Sequence, residues 1–186
     1  MGRSPFPPEP GPPAGPRLFF ALSLPPAIRH ALGQVQEGLV PQLREYRARM
    51  SRPEGLHLTL AFLGSTDPDL LVAVHEAGAA AARQAGPFSL SLGEPGAFPS
   101  LKRARILWYG LSGQTGLGAL HELSDRLRSA LAAAGIPFDP QALVPHLTLA
   151  RCQTLDAARL AWPPLPLKDP GFEVSALTLY RSTSMP

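Results

Sequence analysis

The pentapeptide His-Leu-Thr-Leu-Ala occurs twice in this chain, at residues 57–61 and again at 146–150. In an extended strand, side chains alternate between faces. His57 and Thr59 therefore share one face, roughly 7 Å apart along the strand, and Leu58 and Leu60 share the other. His146 and Thr148 repeat the arrangement, with Leu147 and Leu149 behind them. Two such strands facing each other would offer two imidazoles and two hydroxyls to one cleft. That set suits phosphodiester chemistry. Opening a cyclic phosphate with water requires a base for the water proton and an acid for the departing ribose oxygen. Histidine titrates near neutrality, so one imidazole can accept a proton while the other donates one. Threonine hydroxyls can donate to the non-bridging phosphate oxygens, where charge builds in the transition state.

One His-x-Thr strand would be a weak signal. Two identical copies are a strong one, because His and Thr sit both times in an otherwise apolar strand. There, burial without partners would cost roughly 1–3 kcal/mol per group. The alternative, a duplicated core strand without chemistry, explains the leucines but not the histidines. Leu177-Thr178-Leu179 resembles the repeat without a histidine and is assigned to the core. The remaining histidines, His30, His75 and His121, fall in predicted helices without ligand-like partners, so no metal is expected.

The elements that must position these strands also repeat. The motifs are offset by 146 − 57 = 89 residues, and the apolar strands before them, near 17 and 105, by 105 − 17 = 88. Residues 17–24 (RLFFALSL) read as a buried strand ending at Pro25-Pro26. Ile28, Leu32, Val35 and Leu39 then recur at helical spacing. Residues 41–55 read as a loop, and 57–64 as the first motif strand. Asp67-Pro68 reads as an N-cap pair opening an Ala-rich helix that runs towards Gly86. In the second half, 105–111 is an apolar strand. Leu117, Leu120, Leu123, Leu127 and Leu131 mark a helix stopping near Gly135, and 146–152 is the second motif strand. Thr154 is expected to cap a short helix through about Leu160, and a last strand to run from about Glu173 to Tyr180. Each half thus reads strand, helix, His-x-Thr strand, helix, strand, and two similar lobes would bring the motif strands side by side.

Composition narrows the class. The 186 residues are 45% hydrophobic and 17% charged, with a net charge of +3 and an isoelectric point near 9.5. A real core and an anionic substrate are both compatible with this. The single cysteine, Cys152, excludes an internal disulfide framework and a thiolate metal cluster; it reads as a small buried hydrophobe in a reducing compartment. No run is long enough to span a membrane, and no secretory signal is visible, so the cytoplasm is the expected location. Residues 1–16, dominated by Pro and Gly, read as a disordered tail, with 17–183 as one bilobed domain.

Four segments carry a family resemblance: RLFFALSLP (17–25), HLTLAFLG (57–64), GAFPSLKRARILWYG (96–110) and HLTLAR (146–151). They resemble the two-histidine phosphoesterase superfamily, and within it the bacterial and archaeal RNA 2′,3′-cyclic phosphodiesterases long called 2′-5′ RNA ligases. The resemblance implies an α+β fold, bilobed and duplicated, with two antiparallel sheets flanking a central cleft and helices outside. It implies hydrolysis of a terminal 2′,3′-cyclic phosphate to a 2′-phosphate, and a weak reversible 2′-5′ ligation. His57 would be the proton donor and His146 the proton acceptor, with Thr59 and Thr148 beside them. Arg151 matches an arginine expected to hold phosphate, although simple alternation turns it away from His146 unless a bulge intervenes. Phe20 matches an aromatic placed near the base, with a plain core role as the competing reading. No cofactor is implied. The expected partners are RNA ends, including tRNA fragments, or nucleotides, and the expected state is a monomer.

Two basic clusters, Arg44, Arg47, Arg49 and Arg52, and Lys102, Arg103 and Arg105, could track an RNA backbone or form an ordinary solvated surface. Trp108 and Tyr109 read as core or lobe-interface residues. Gly113, Gly116 and Gly118 lack the spacing and lysine of a phosphate loop. Two other functions remain open: an RNA- or nucleotide-binding module with little turnover, and a phosphodiesterase for small cyclic nucleotides such as ADP-ribose cyclic phosphate. Matched His and Thr pairs favour the enzyme over the binding module, because binding alone needs no paired acid and base.

Overall fold

The computed structural model describes residues 15–182. The expectation for the Pro/Gly-rich tail therefore falls almost wholly outside the described residues. Order reaches at least back to Pro16, whose carbonyl accepts from the Thr66 backbone N–H at 3.0 Å.

Among the described residues, eight strands form two antiparallel sheets. Strands β1 (Arg17–Ser23), β3 (His57–Ser65) and β8 (Thr178–Arg181) make the first, in the order β3-β1-β8. The second comprises β2 (Arg49–Met50), β4 (Phe88–Phe98), β5 (Ala104–Ser112), β6 (His146–Leu155) and β7 (Gly171–Val174), in the order β2-β6-β5-β4-β7. The triplet β3-β1-β8 is matched by β6-β5-β4, so the duplication seen in sequence is a duplication of sheets. Its third strands are exchanged. Strand β4 follows the first half of the chain but pairs with β5, while β8 ends the second half and pairs with β1.

Three helices cover the sheets. Helix α1 (Pro26–Leu39) starts on Pro26, whose missing N–H costs nothing in a first turn, and buries Ile28, Leu32, Val35 and Leu39. Helix α2 (Leu71–Ala85) follows a 3₁₀ turn over Pro68–Leu70; Asp67 caps that turn by accepting from the Asp69 N–H at 2.9 Å. Helix α3 (Gln114–Ala133) stops at Gly135, which takes a positive φ of 68° while the Ile136 N–H returns to the Leu131 carbonyl. Gly116 has a packing role instead of a phosphate-binding one: a Cβ there would meet the Ser89 carbonyl oxygen of β4. Leu22 and Leu58 of the first sheet and Leu107, Leu147 and Leu149 of the second join one hydrophobic core.

Two sequence expectations are corrected, and the strand that closes the first half gains its bounds. That strand is β4, whose pattern Gly93, Pro95 and Gly96 break. Its register shifts between Leu92 and Pro95, and the backbone of Glu94 comes close to Gly110. Thr154 caps nothing: β6 runs on to Leu155, and Asp156 caps a 3₁₀ turn over Ala157–Arg159 by accepting from the Ala158 N–H at 3.2 Å. The single last strand is two, β7 and β8, belonging to different sheets. Alternation of apolar residues does not say which sheet a strand joins.

Candidate active site

Strands β3 and β6 lie in contact between the sheets, and each begins at its motif histidine. The two histidines are held identically. His57 Nδ1 lies 2.7 Å from the Gly55 carbonyl, and His146 Nδ1 lies 2.7 Å from the Val144 carbonyl. A carbonyl oxygen only accepts, so each Nδ1 carries the hydrogen. Nε2 is left on both rings as the nitrogen free to take or give a proton.

The surroundings of the rings differ. Phe19 packs on His57 at 4.9 Å between centroids, and Tyr180 stacks on it at 5.7 Å. Phe98 meets His146 edge-on at 4.9 Å. Burial pushes the His57 imidazole below its ordinary range; the Gly55 carbonyl partly restores it, and the charge of His146 lowers it further.

A cavity of about 380 Å³ lies between the sheets, lined by Thr59 and Phe62 of β3, His146 of β6, Phe98 and Ile106 of β4 and β5, and Asp139 with residues 141–144. The Thr59 and Thr148 hydroxyls have no intramolecular partner, and Thr148 sits opposite Trp108 on β5. Donors without partners beside free imidazole nitrogens suit an anionic ligand.

The β6 ladder settles the direction of Arg151. Leu107 pairs with Ala150, but Trp108 pairs with Thr148, so Leu149 is an extra residue in a β-bulge. Leu149 and Ala150 are consecutively buried, and Arg151 emerges on the face of His146 and Thr148. The same device occurs in β3, where Phe20 pairs with Ala61 and Ala21 with Thr59, leaving Leu60 extra. Phe62 thereby joins the face of His57 and is 49% exposed. Phe62 and Arg151 occupy equivalent positions of the repeat, an aromatic in one lobe and a cation in the other.

Phe20 is not at the site. It is buried at 3% exposure, with its ring against Gly78 of α2. Its neighbour Phe19 is the residue that reaches His57, because strand alternation sends the two side chains to opposite faces. Phe19, Phe62, Phe98 and Tyr180 were not singled out from the sequence. For Phe62 a signal existed: it stands five residues after His57, as Arg151 stands after His146. Trp108 is on the cleft face, 5.2 Å from Phe98 and 6.2 Å from His146, whereas Tyr109 is in the core. Cys152 is half-buried, and burial pushes its thiol up, away from the reactive thiolate. His30, His75 and His121 are exposed on α1, α2 and α3. Among the described residues, no three His, Cys, Asp or Glu side chains converge as metal ligands, and no helix is long and apolar enough to cross a membrane.

The duplicated two-sheet α+β fold with paired His-x-Thr strands defines a class of protein, and known proteins of that class match this chain. The 2′-5′ RNA ligase superfamily model matches residues 24–184, and the chain belongs to that family. It is 33% identical to an RNA 2′,3′-cyclic phosphodiesterase of Escherichia coli over 90% of this chain and 87% of that protein. A protein of the same name from Geobacillus stearothermophilus is 35% identical over 69% of this chain, although the match spans only 41% of that protein's length. Among solved structures, TT0787 of Thermus thermophilus superposes with a TM-score of 0.70 at 30% identity, covering 91% of this chain and 90% of that one. Escherichia coli LigT complexed with 3′-AMP superposes with a TM-score of 0.67 at 28% identity, covering 92% and 90%.

Proposed function

We propose that this protein hydrolyses RNA ends carrying a 2′,3′-cyclic phosphate to 2′-phosphates by acid–base catalysis between His57 and His146. The observation that carries the reading is the matched pair of histidines, each with Nδ1–H tied to a carbonyl and Nε2 free, from strands brought together across two sheets. His146 Nε2 takes a proton from water as the water oxygen bonds to phosphorus. The bond from phosphorus to the 3′-oxygen breaks, and His57 Nε2–H delivers its proton to that oxygen. The product has a 2′-phosphate and a 3′-hydroxyl, and solvent returns the two imidazoles to their starting states. Thr59, Thr148 and Arg151 hold the non-bridging oxygens, where their donors stabilise the developing charge. A 5′-hydroxyl of a second RNA in place of water would give a 2′-5′ linkage by the same proton transfers. Phe62 offers an exposed ring to the terminal nucleotide. The relatives' shared name supports this substrate class over small cyclic nucleotides. A monomer acting in the cytoplasm, the reducing compartment that a lone Cys152 suits, completes the reading.

The role of each histidine is tested with a leaving group that needs no acid. A terminal 2′,3′-cyclic phosphate with sulfur replacing the 3′-oxygen expels a thiolate. His57→Ala should regain most of its lost turnover on that substrate, while His146→Ala should not. Rescue of His146→Ala instead would reverse the assignment. Mapping the phosphate of the natural product checks the 2′-position.

The pH profile follows from the lowered His57. A donor must be protonated, so the profile falls on its alkaline side as His57 loses its proton. In the free protein that happens below the ordinary histidine value, and kcat/KM should show it there. A bound phosphate anion favours the imidazolium, so the alkaline limb of kcat should lie at higher pH than that of kcat/KM. Finding the depressed titration on the acidic limb would make His57 the base.

A further inference from the structure

Resting on that reading, we infer that Arg49, Arg105 and Arg151 form a second phosphate subsite beside the catalytic cavity, which holds the backbone phosphate of the preceding nucleotide and makes oligonucleotides better substrates than mononucleotides. The two basic clusters of the sequence lie on different elements and have no evident relation there. In the fold, one member of each meets Arg151. Arg49 on β2 is the direct cross-strand partner of Arg151 on β6. Arg105 on β5 lines with Arg151 a cavity of about 460 Å³, together with Phe98, Pro99 and Ile106. Phe98 and Ile106 also line the cavity that holds Thr59 and His146, so the two spaces are continuous along one wall.

The charges are uncompensated. The described residues contain two ion pairs, Arg126–Glu122 and Arg159–Asp156, and neither involves these arginines. All three are exposed, and among the described residues none of their guanidinium groups makes a hydrogen bond. Like charges placed directly across a ladder destabilise it, so three unpaired guanidiniums at one place are explained by an anion that they share. Guanidinium groups pair with phosphate oxygens in a fixed fork geometry. A cyclic phosphate at the histidines needs only Arg151. The space that Arg105 lines with Arg151, whose cross-strand partner is Arg49, lies further along, where a polynucleotide has its next phosphate and a mononucleotide has none.

The test uses the full chain and two probes. The first is an RNA tetramer ending in a 2′,3′-cyclic phosphate, compared with the corresponding cyclic mononucleotide in kcat/KM. The second is a fluorescein-labelled tetramer ending in 2′-phosphate, whose binding is followed by anisotropy against salt. Arg49→Gln with Arg105→Gln should lower the tetramer-to-mononucleotide ratio of kcat/KM at least ~10-fold, as expected for lost charge-assisted bonds. It should flatten the slope of log affinity on log salt by about 0.7, the value for one phosphate on a single strand. The Lys replacements at both positions should restore the slope, and Arg83→Gln on α2 should leave it unchanged. An unchanged ratio and slope in the double Gln variant would overturn the subsite. So would an equal flattening by Arg83→Gln, which would reduce the effect to net charge. A wild-type protein that opened neither cyclic phosphate would refute the proposed reaction, and the anisotropy series would still decide the subsite.

Discussion

Replacing His57 or His146 by alanine should lower turnover of a 2′,3′-cyclic-phosphate RNA by about 10²–10⁴-fold each, the usual contribution of a positioned acid or base. Each side chain has a free Nε2 and a fixed Nδ1, so each deletion removes one proton transfer from the same transition state. The double variant should therefore lose less than the product of the single losses, because residues that act as a unit are not additive. Thr59→Ala and Thr148→Ala should lose less than either histidine variant, since each removes one donor to phosphate and leaves both proton transfers intact. Each ring packs against aromatic neighbours, His57 against Phe19 and Tyr180 and His146 against Phe98, so the variants should melt somewhat below wild type while remaining folded, which circular dichroism with melting would check. Chelation with EDTA should leave the wild-type rate unchanged. A folded His57→Ala or His146→Ala protein turning over at nearly the wild-type rate would end the two-histidine mechanism. Loss on chelation, restored by a divalent ion, would point to metal-dependent hydrolysis.

Gln36→Leu should cost both stability and activity, although Gln36 lies on α1 behind the second sheet. It is buried at 4% exposure. Its Nε2 donates to the Ser51 carbonyl at 2.7 Å and to the Leu149 carbonyl at 2.8 Å. Leu149 is the extra residue of the β6 bulge, and the Ser51 N–H also donates to its carbonyl, at 2.8 Å. The side chain thus adds, from a helix, a second donor to the Leu149 carbonyl and a donor to the Ser51 carbonyl. Leucine fills a similar volume and donates nothing. Leaving buried carbonyls short of donors costs about 1–3 kcal/mol, a fall in melting temperature of roughly 2–12 °C for a chain of this size. The bulge turns Arg151 towards His146, so kcat/KM should also fall, by about 10-fold or more, the worth of a hydrogen bond to a charged group. In an Arg151→Ala background the activity loss from Gln36→Leu should largely disappear, because the two changes remove the same contact. Independent, fully additive losses would show that Gln36 stabilises the fold without aiming the arginine.

The duplication, the two catalytic candidates and their threonines were legible in the sequence because they depend only on local rules. Two strands of period two, each with His and Thr on one face and leucine on the other, declare a chemical face and a core face without any knowledge of neighbours. Helices α1 and α3 were legible for the same reason, since their apolar residues recur at helical spacing, and α2 was legible from its Asp67-Pro68 start and its alanines. Strand pairing was not legible, because a strand's side chains do not encode which edge it joins. The exchange of β4 and β8 between the lobes, and the division of the last strand into β7 and β8, appear only in the pairing of the assembled sheets. Tertiary structure also decided between Phe19 and Phe20. Adjacent phenylalanines in an apolar run are equivalent on paper, and only the packing of α2, with Gly78 against one ring, sends Phe20 inward and leaves Phe19 to His57. Arg151 is the clearest case. Alternation alone turns it away from the histidine five residues before it; one extra residue, held by a glutamine over a hundred positions distant, reverses its face. A bulge is a property of two paired strands and of whatever satisfies its spare carbonyl, so it is set by the assembled sheet and not by the strand's own residues.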